Sequence, residues 1–356
     1  MHTDDQTSDR PEAPAPQGAP RTLDAIPVHD PFILARRDDE TYYLYTAFDG
    51  DRGPVPGHGV LAYTSTDLRD WSGPTVVFEV PEGTWADAAQ SPWAPEVHEH
   101  GGRFYLFTTL HNGATALPWP ADGGQQFLLG SGGVVDEGRR PSARGSVTAV
   151  ADSPLGPFTL LDAQKPVPPA DFMTLDGTLF VDDDDKPWMV YAHEWVQLLD
   201  GTFEAVPLSD DLSRAIGDPV HLFRASEGSW LSTQVPGLQT LAPYVSDGCQ
   251  LRRLASGALT MLWASYRHGP GGSEYVETSA TSASGSLFGP WVQNGILVDG
   301  NAGHGMVFDG FDGRSYLVLH RGMNTPRVRA EIFEVEDAGD RLQVVADRRD
   351  LYTPGS

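Results

Sequence analysis

The chain has 356 residues, 40 % of them hydrophobic and 10 % aromatic, with 39 glycines and 29 prolines. That is enough apolar content for a core, and so many turn formers favour short strands over long helices. A formal net charge of −25 disfavours nucleic acid and anionic membrane as partners, since both are polyanions, and makes a neutral substrate the natural one.

One cysteine, Cys249, rules out an intramolecular disulfide. The first thirty residues lack the apolar core of a signal peptide, so a cytoplasmic location is expected. No run approaches the roughly 20 apolar residues of a membrane helix. Residues 1–22, rich in Pro, Ala, Asp and Gln, read as a disordered tail, and 23–356 as one domain.

The first element opens at Asp30 with Pro31-Phe32-Ile33-Leu34 and returns as Tyr42-Tyr43-Leu44-Tyr45. A third apolar stretch, Ala62 to Ser65, follows before the Trp71-Ser72-Gly73-Pro74 turn. The second unit opens at Trp93-Ala94-Pro95-Glu96 and has its third stretch at Val147 to Val150, before Gly156-Pro157-Phe158. In the third, Asp176 leads into Thr178 to Val181, with returns at Trp188 to Tyr191 and Glu204 to Leu208. Asp247 and His304 open the last two, which return at Met261-Leu262 and Val318-Leu319 and continue at Val276 to Ser282 and Ala330 to Glu334.

Five units of about four short strands predict an all-β, five-bladed β-propeller, four antiparallel strands per blade; a pair of β-sandwiches is the alternative. The openers Asp30, Glu96, Asp176, Asp247 and His304 then meet at one mouth of the central channel. Each second strand runs back to that mouth, bringing His111-Asn112, His193-Glu194, Arg267-His268 and His320-Arg321 beside them. The long connection over 111–145, with Trp119, is expected to wall the pocket.

Carboxylates facing across a pocket suit glycoside hydrolysis, in which a protonated one serves the leaving oxygen and an ionised one activates water or attacks carbon. A third can raise the acid's pKa by like-charge repulsion. Phe32, Trp93, Trp195 and Trp230 offer flat platforms for sugar rings. An aspartate at a strand start is commonly a turn cap, and it is the fivefold recurrence that argues for more. Glu96, two residues deeper than Asp30 in its unit, suits a structural or hydroxyl-binding role equally well. Asp182 to Asp185 read as a solvated turn, their spacing not being that of an EF-hand. His29, His98 and His221 carry no role beyond packing or solvent contact.

The stretches His29-Asp30-Pro31-Phe32-Ile33, Trp93-Ala94-Pro95-Glu96-Val97, Leu175-Asp176-Gly177-Thr178-Leu179-Phe180, Ser246-Asp247-Gly248 and Gly303-His304-Gly305-Met306-Val307-Phe308 resemble glycoside hydrolase family 43 from about residue 26 to 335. The resemblance implies a five-bladed propeller that hydrolyses arabinofuranosides, xylosides or galactosides with inversion. It implies Asp30 as general base, Asp176 as the carboxylate that tunes and orients the acid, and His304 as an axial residue near which Ca2+ or another hydrated cation can sit, no other cofactor being required. Phe32, Trp93, Glu96, His193, Trp195 and Arg321 are the expected substrate-binding residues.

The family's Glu-Gly-Pro is replaced by Asp247-Gly248-Cys249, so either Asp247 or Glu194, in His193-Glu194-Trp195, is the expected acid. The expected activity is exo-acting release of α-L-arabinofuranose or β-D-galactofuranose from short oligosaccharides. A non-catalytic carbohydrate-binding propeller and a β-xylosidase or galactosidase are the alternatives.

Overall fold

Each of the five units folds into one four-stranded antiparallel sheet. The computed structural model describes residues 20–50, 55–119, 140–198, 200–230, 244–269 and 272–353. Blade 1 comprises β1 (Phe32–Arg36), β2 (Thr41–Asp49), β3 (His58–Ser65) and β4 (Ser72–Glu79). Blade 2 comprises β5 (Trp93–His100), β6 (Arg103–Ala116), β7 (Ser142–Ala151) and β8 (Thr159–Leu160). Blade 3 is β9 (Thr174–Val181), β10 (Pro187–His193), β11 (Thr202–Pro207) and β12 (Val220–Arg224). Blade 4 is β13 (Asp247–Arg253), β14 (Leu259–Gly269), β15 (Gly272–Ser282) and β16 (Trp291–Val298). Blade 5 is β17 (Ala302–Asp309), β18 (Ser315–Arg321), β19 (Arg329–Asp337) and β20 (Leu342–Asp347). The inner strands β1, β5, β9, β13 and β17 touch in that order, and β17 returns to β1, so the five-bladed ring is closed.

Burial explains the sequence pattern. The second strand of each blade is buried on both faces over much of its length, hence unbroken runs such as Tyr42 to Thr46. Fourth strands lie at the rim, and β20 alternates exposed positions with buried or half-buried ones. Between blades 3 and 4, Trp263 packs its ring 5.5 Å from Phe203 and 5.8 Å from Phe223. Burying each such side chain contributes about 1.5–3 kcal/mol.

Blade 5 is tied to blade 1 by an antiparallel bridge between Pro27 and Arg329. Tyr42 stacks on Phe311, centroids 4.1 Å apart, and accepts the Phe311 N–H at its hydroxyl. Of the expected tail, residues 1–19 lie outside the described residues, and Arg21 already pairs with Trp71 through two backbone hydrogen bonds. The acidic run 182–185 forms a turn: Asp182 accepts the N–H groups of Asp184 and Lys186. Among the described residues no helix is long and apolar enough to cross a membrane.

Candidate active site

A backbone feature marks the channel mouth in every blade. Asp30, Ala94, Asp176, Gly248 and His304 have φ of 48°, 44°, 55°, 59° and 53°, a left-handed conformation that costs a non-glycine residue about 1–3 kcal/mol. In blades 2, 3, 4 and 5 the ladder to the second strand shifts register across this point, as bulges do. The structure therefore corrects the opener register in blade 4 and bears out the offset of Glu96 read from the sequence in blade 2. Asp247 stands one residue before the shared position and Glu96 two after it, while blades 2 and 4 place Ala94 and Gly248 there. Glycine is needed at 248, because a Cβ would lie 2.9 Å from His304 Cγ.

Asp30 sits among imidazoles. Its Oδ1 is 2.8 Å from His29 Nδ1, 3.3 Å from His304 Nδ1 and 3.7 Å from His320 Nε2. Burial alone would raise its pKa, but His29 and His304 outweigh it and hold the carboxyl well below the usual carboxylate range. His320 is fully buried and kept neutral by that burial, with the neighbouring His29 adding to the effect. His29, given no role from the sequence, is thus the nearest partner of Asp30. Its position directly before Asp30 was the available signal.

Asp176 and Asp247 behave oppositely. Burial pushes the Asp176 carboxyl up to about 7, against the hydrogen bonds it takes from Asp247 and from Gly248 N–H. The Gly248 bond, at 2.8 Å, comes from the residue in the left-handed conformation, which turns its N–H toward Asp176 Oδ2. Burial and then the Asp176 charge hold Asp247 well above the usual carboxylate range. The Tyr275 hydroxyl donates to Asp247 Oδ2 at 2.6 Å. Where the family pattern has proline, the buried Cys249 donates its thiol to the Asp176 carbonyl at 3.1 Å. Proline has no polar side chain to make that bond.

A second polar group stands beside this centre. The Arg144 guanidinium donates through Nη1 to Glu194 Oε2 at 2.5 Å and through Nε to His111 Nδ1 at 3.0 Å. It also lies 4.3 Å from the Trp93 ring centroid, within cation–π range. Trp93 is 43 % exposed, so its ring is available as a platform. Sequence reading missed Arg144 because it reaches His111 by register, His111 facing Arg144 across β6 and β7, at the far end of a long connection. Most of that connection, 120–139, lies outside the described residues.

Other expected substrate-binding residues are engaged by the scaffold. His193 stacks on Phe172 at 4.3 Å, and its nitrogens face Gln197 Oε1 at 2.8 Å and Glu204 Oε1 at 3.3 Å. It thereby anchors the helical turn α1 (Trp195–Leu198) behind Glu194. Trp195 is half-buried and, like Trp119, packs against the cluster of Met173 and Val196. Phe32 is buried, edge-on to His98, whose Nε2 is 2.8 Å from Glu96 Oε2; His98 is thus the partner of Glu96. Trp230 packs into the core between blades 3 and 4.

Arg321 follows His320 and so faces the opposite side of β18. Its Nε is 2.8 Å from Glu331 Oε1, and its Nη1 donates to the carbonyls of Asp299 and Gly300. Arg267 is bound to Glu274 and Asp299.

Three carboxyls pushed in different directions now stand within one mouth: Asp30 held low by its imidazole neighbours, Asp247 held high by burial and Asp176, and Asp176 raised to about 7 by burial. Environments that push paired carboxyls apart assign acid and base. Asp247 is also the most open of the three, its side chain 25 % exposed against 12 % for Asp30 and 4 % for Asp176.

Comparison with known proteins agrees with this chemistry. The profile of glycosyl hydrolases family 43 matches residues 25–337. An extracellular exo-α-(1→5)-L-arabinofuranosidase of Cellvibrio japonicus is 25 % identical over 323 residues, covering 83 % of this chain and 79 % of the relative. The structure of an endo-arabinase from Bacteroides thetaiotaomicron is 32 % identical and superposes with a TM-score of 0.71 over 89 % of this chain and 97 % of its own. A thermostable family-43 glycoside hydrolase shares the fold at 19 % identity, with a TM-score of 0.69 over 93 % and 95 % of the two chains. With the profile spanning all five blades and the acidic mouth in place, the chain belongs to glycoside hydrolase family 43 and is a glycosidase.

Proposed function

We propose that this glycosidase is an inverting, exo-acting α-L-arabinofuranosidase that trims short arabino-oligosaccharides. The observation that carries the reading is the contrast in surroundings at the channel mouth, Asp30 among three imidazoles and Asp247 against Asp176 and the Tyr275 hydroxyl. Asp30, ionised among imidazoles, is the general base that takes a proton from the attacking water. Asp247 gives its proton to the leaving oxygen, and Asp176, hydrogen-bonded to it, holds that proton in place until the bond breaks. Trp93 offers a flat ring for the departing sugar, with Arg144 fixed against it.

The sugar is inferred from the relatives, both of which act on arabinose polymers or their fragments by name. Exo action is supported by the enclosure of the carboxyls, which suits a chain end better than a chain interior. Glu194 gives a second reading of the acid, favoured by its contact with Arg144 beside the exposed Trp93 ring. His304 Nδ1, Asp176 and Asp247 each offer an atom within 4.8 Å of the others. His304 Nδ1 already faces Asp30, and Asp176 and Asp247 share a hydrogen bond, so a cation held there would have to displace those contacts and the proton of Asp247.

Product analysis on linear arabino-oligosaccharides, with aryl β-D-galactofuranoside, β-D-xylopyranoside and β-D-galactopyranoside as competing substrates, tests the proposal. Arabinose as the sole early product supports it. Larger early fragments would make the enzyme endo-acting, and faster turnover of another sugar would replace the substrate.

A further inference from the structure

Two side chains of blade 4 approach His304 from either side of its backbone. Tyr275 and Glu277 stand two apart in β15 and so face the same way. A Cβ at Gly303 would lie 2.5 Å from Tyr275 Cε1, and one at Gly305 would lie 3.2 Å from Glu277 Cδ. Glycine on both sides of His304 is therefore what lets β15 come so close.

The contacts are specific. Gly305 N–H donates to Glu277 Oε2 at 2.8 Å, and the Tyr275 hydroxyl reaches Asp247. Glu277 is fully buried, and its Oε1 has no hydrogen-bond partner among the described residues. An apolar side chain would fill that space without the cost of burying a polar group. What it would not supply is an acceptor for Gly305 N–H, which follows the left-handed His304 and needs one. Burial pushes the Glu277 carboxyl well above the carboxylate range.

We infer that Glu277 and Tyr275 are positioning residues of the glycosidase site, Glu277 fixing the His304-Gly305 peptide so that Nδ1 faces Asp30, and Tyr275 fixing Asp247. The effect on turnover rests on the roles proposed above for Asp30 and Asp247; the geometry does not.

The test compares Glu277→Gln, Glu277→Leu and Tyr275→Phe in the full chain. Gln is neutral and keeps an acceptor for Gly305, so kcat is expected within about threefold of the parent. Leu removes the acceptor, and kcat is expected to fall about 10²-fold with KM nearly unchanged, as for misplacement of a reacting group. Tyr275→Phe deletes one oxygen and is expected to lower kcat about tenfold with KM unchanged; it carries the test should the Leu variant fail to fold.

Ring 15N signals of His304, assigned by comparison with His304→Asn, provide a readout independent of turnover. They are expected to move in Glu277→Leu and to stay in Glu277→Gln. Unmoved signals in the Leu variant, a Gln variant as impaired as Leu, or full kcat in Tyr275→Phe would each overturn the inference. Moved signals in an enzyme whose Asp30→Asn variant keeps full turnover would instead refute the assignment of the base while leaving the positioning role intact.

Discussion

Replacing Asp176 by Asn is expected to stabilise the fold above neutrality while disabling the enzyme. In the unfolded chain this carboxyl loses its proton near 3.8, and in the fold only near 7. Between these values the native state holds the extra proton, so stability from this group is fully present below 3.8 and is lost as pH rises through 7. At about 1.4 kcal/mol per pH unit the loss reaches up to about 4 kcal/mol.

Asn cannot ionise, yet it can accept the Gly248 N–H and donate toward Asp247. Urea melts of parent and variant at pH 5, 6, 7 and 8 measure the difference. The variant's advantage should be smallest at pH 5, grow through pH 7 and level off by pH 8, while kcat falls at least about 10²-fold. A difference independent of pH, or a variant less stable than the parent at pH 8, would refute the reasoning that a buried, proton-sharing carboxyl occupies this site.

Other outcomes follow from the same geometry. Arg144→Met leaves Glu194 unpaired in a site where the two side chains are 15 % and 7 % exposed, and should cost about 3–5 kcal/mol in a denaturant melt; a loss under 1 kcal/mol contradicts a buried pair. Asp247→Asn should lose about 10²–10⁴-fold on phenyl arabinofuranoside, whose leaving group needs a proton, and little on the dinitrophenyl compound. The same pattern in Glu194→Gln instead would move the acid to Glu194. Asp247 must hold its proton for turnover, so kcat/KM should decline on the alkaline side only at a pH well above the usual carboxylate range. A decline already complete by about pH 5 would exclude Asp247 as the acid.

The blades were legible because each repeats an apolar run interrupted by Gly, Pro and Asp turns, a pattern that survives uneven loops. The nature of the site was legible because Asp30, Asp176 and His304 share one backbone position. What the sequence concealed was the bulge. A left-handed residue at the mouth changes which side chain faces inward, so Asp247 looked aligned with the others although it lies one residue before that position, whereas the two-residue offset of Glu96 was legible from Ala94-Pro95 matching Asp30-Pro31. Facing was hidden too. His193 and Arg321 occupy the predicted strand ends, but one turns into the support of α1 and the other onto Glu331. Arg144 and Tyr275 act across strand pairs and blade interfaces, contacts that no local spacing announces.

The central claim, that Asp30 activates water against a carbon whose leaving group Asp247 protonates, fixes the stereochemistry of the product. Proton NMR of an α-L-arabinofuranoside during the first minutes of hydrolysis reads it before the sugar re-equilibrates. The account predicts β-L-arabinofuranose as the first product, and no product from Asp30→Ala. An α product formed first would show retention and so contradict it, as would an Asp30→Ala enzyme that keeps its rate.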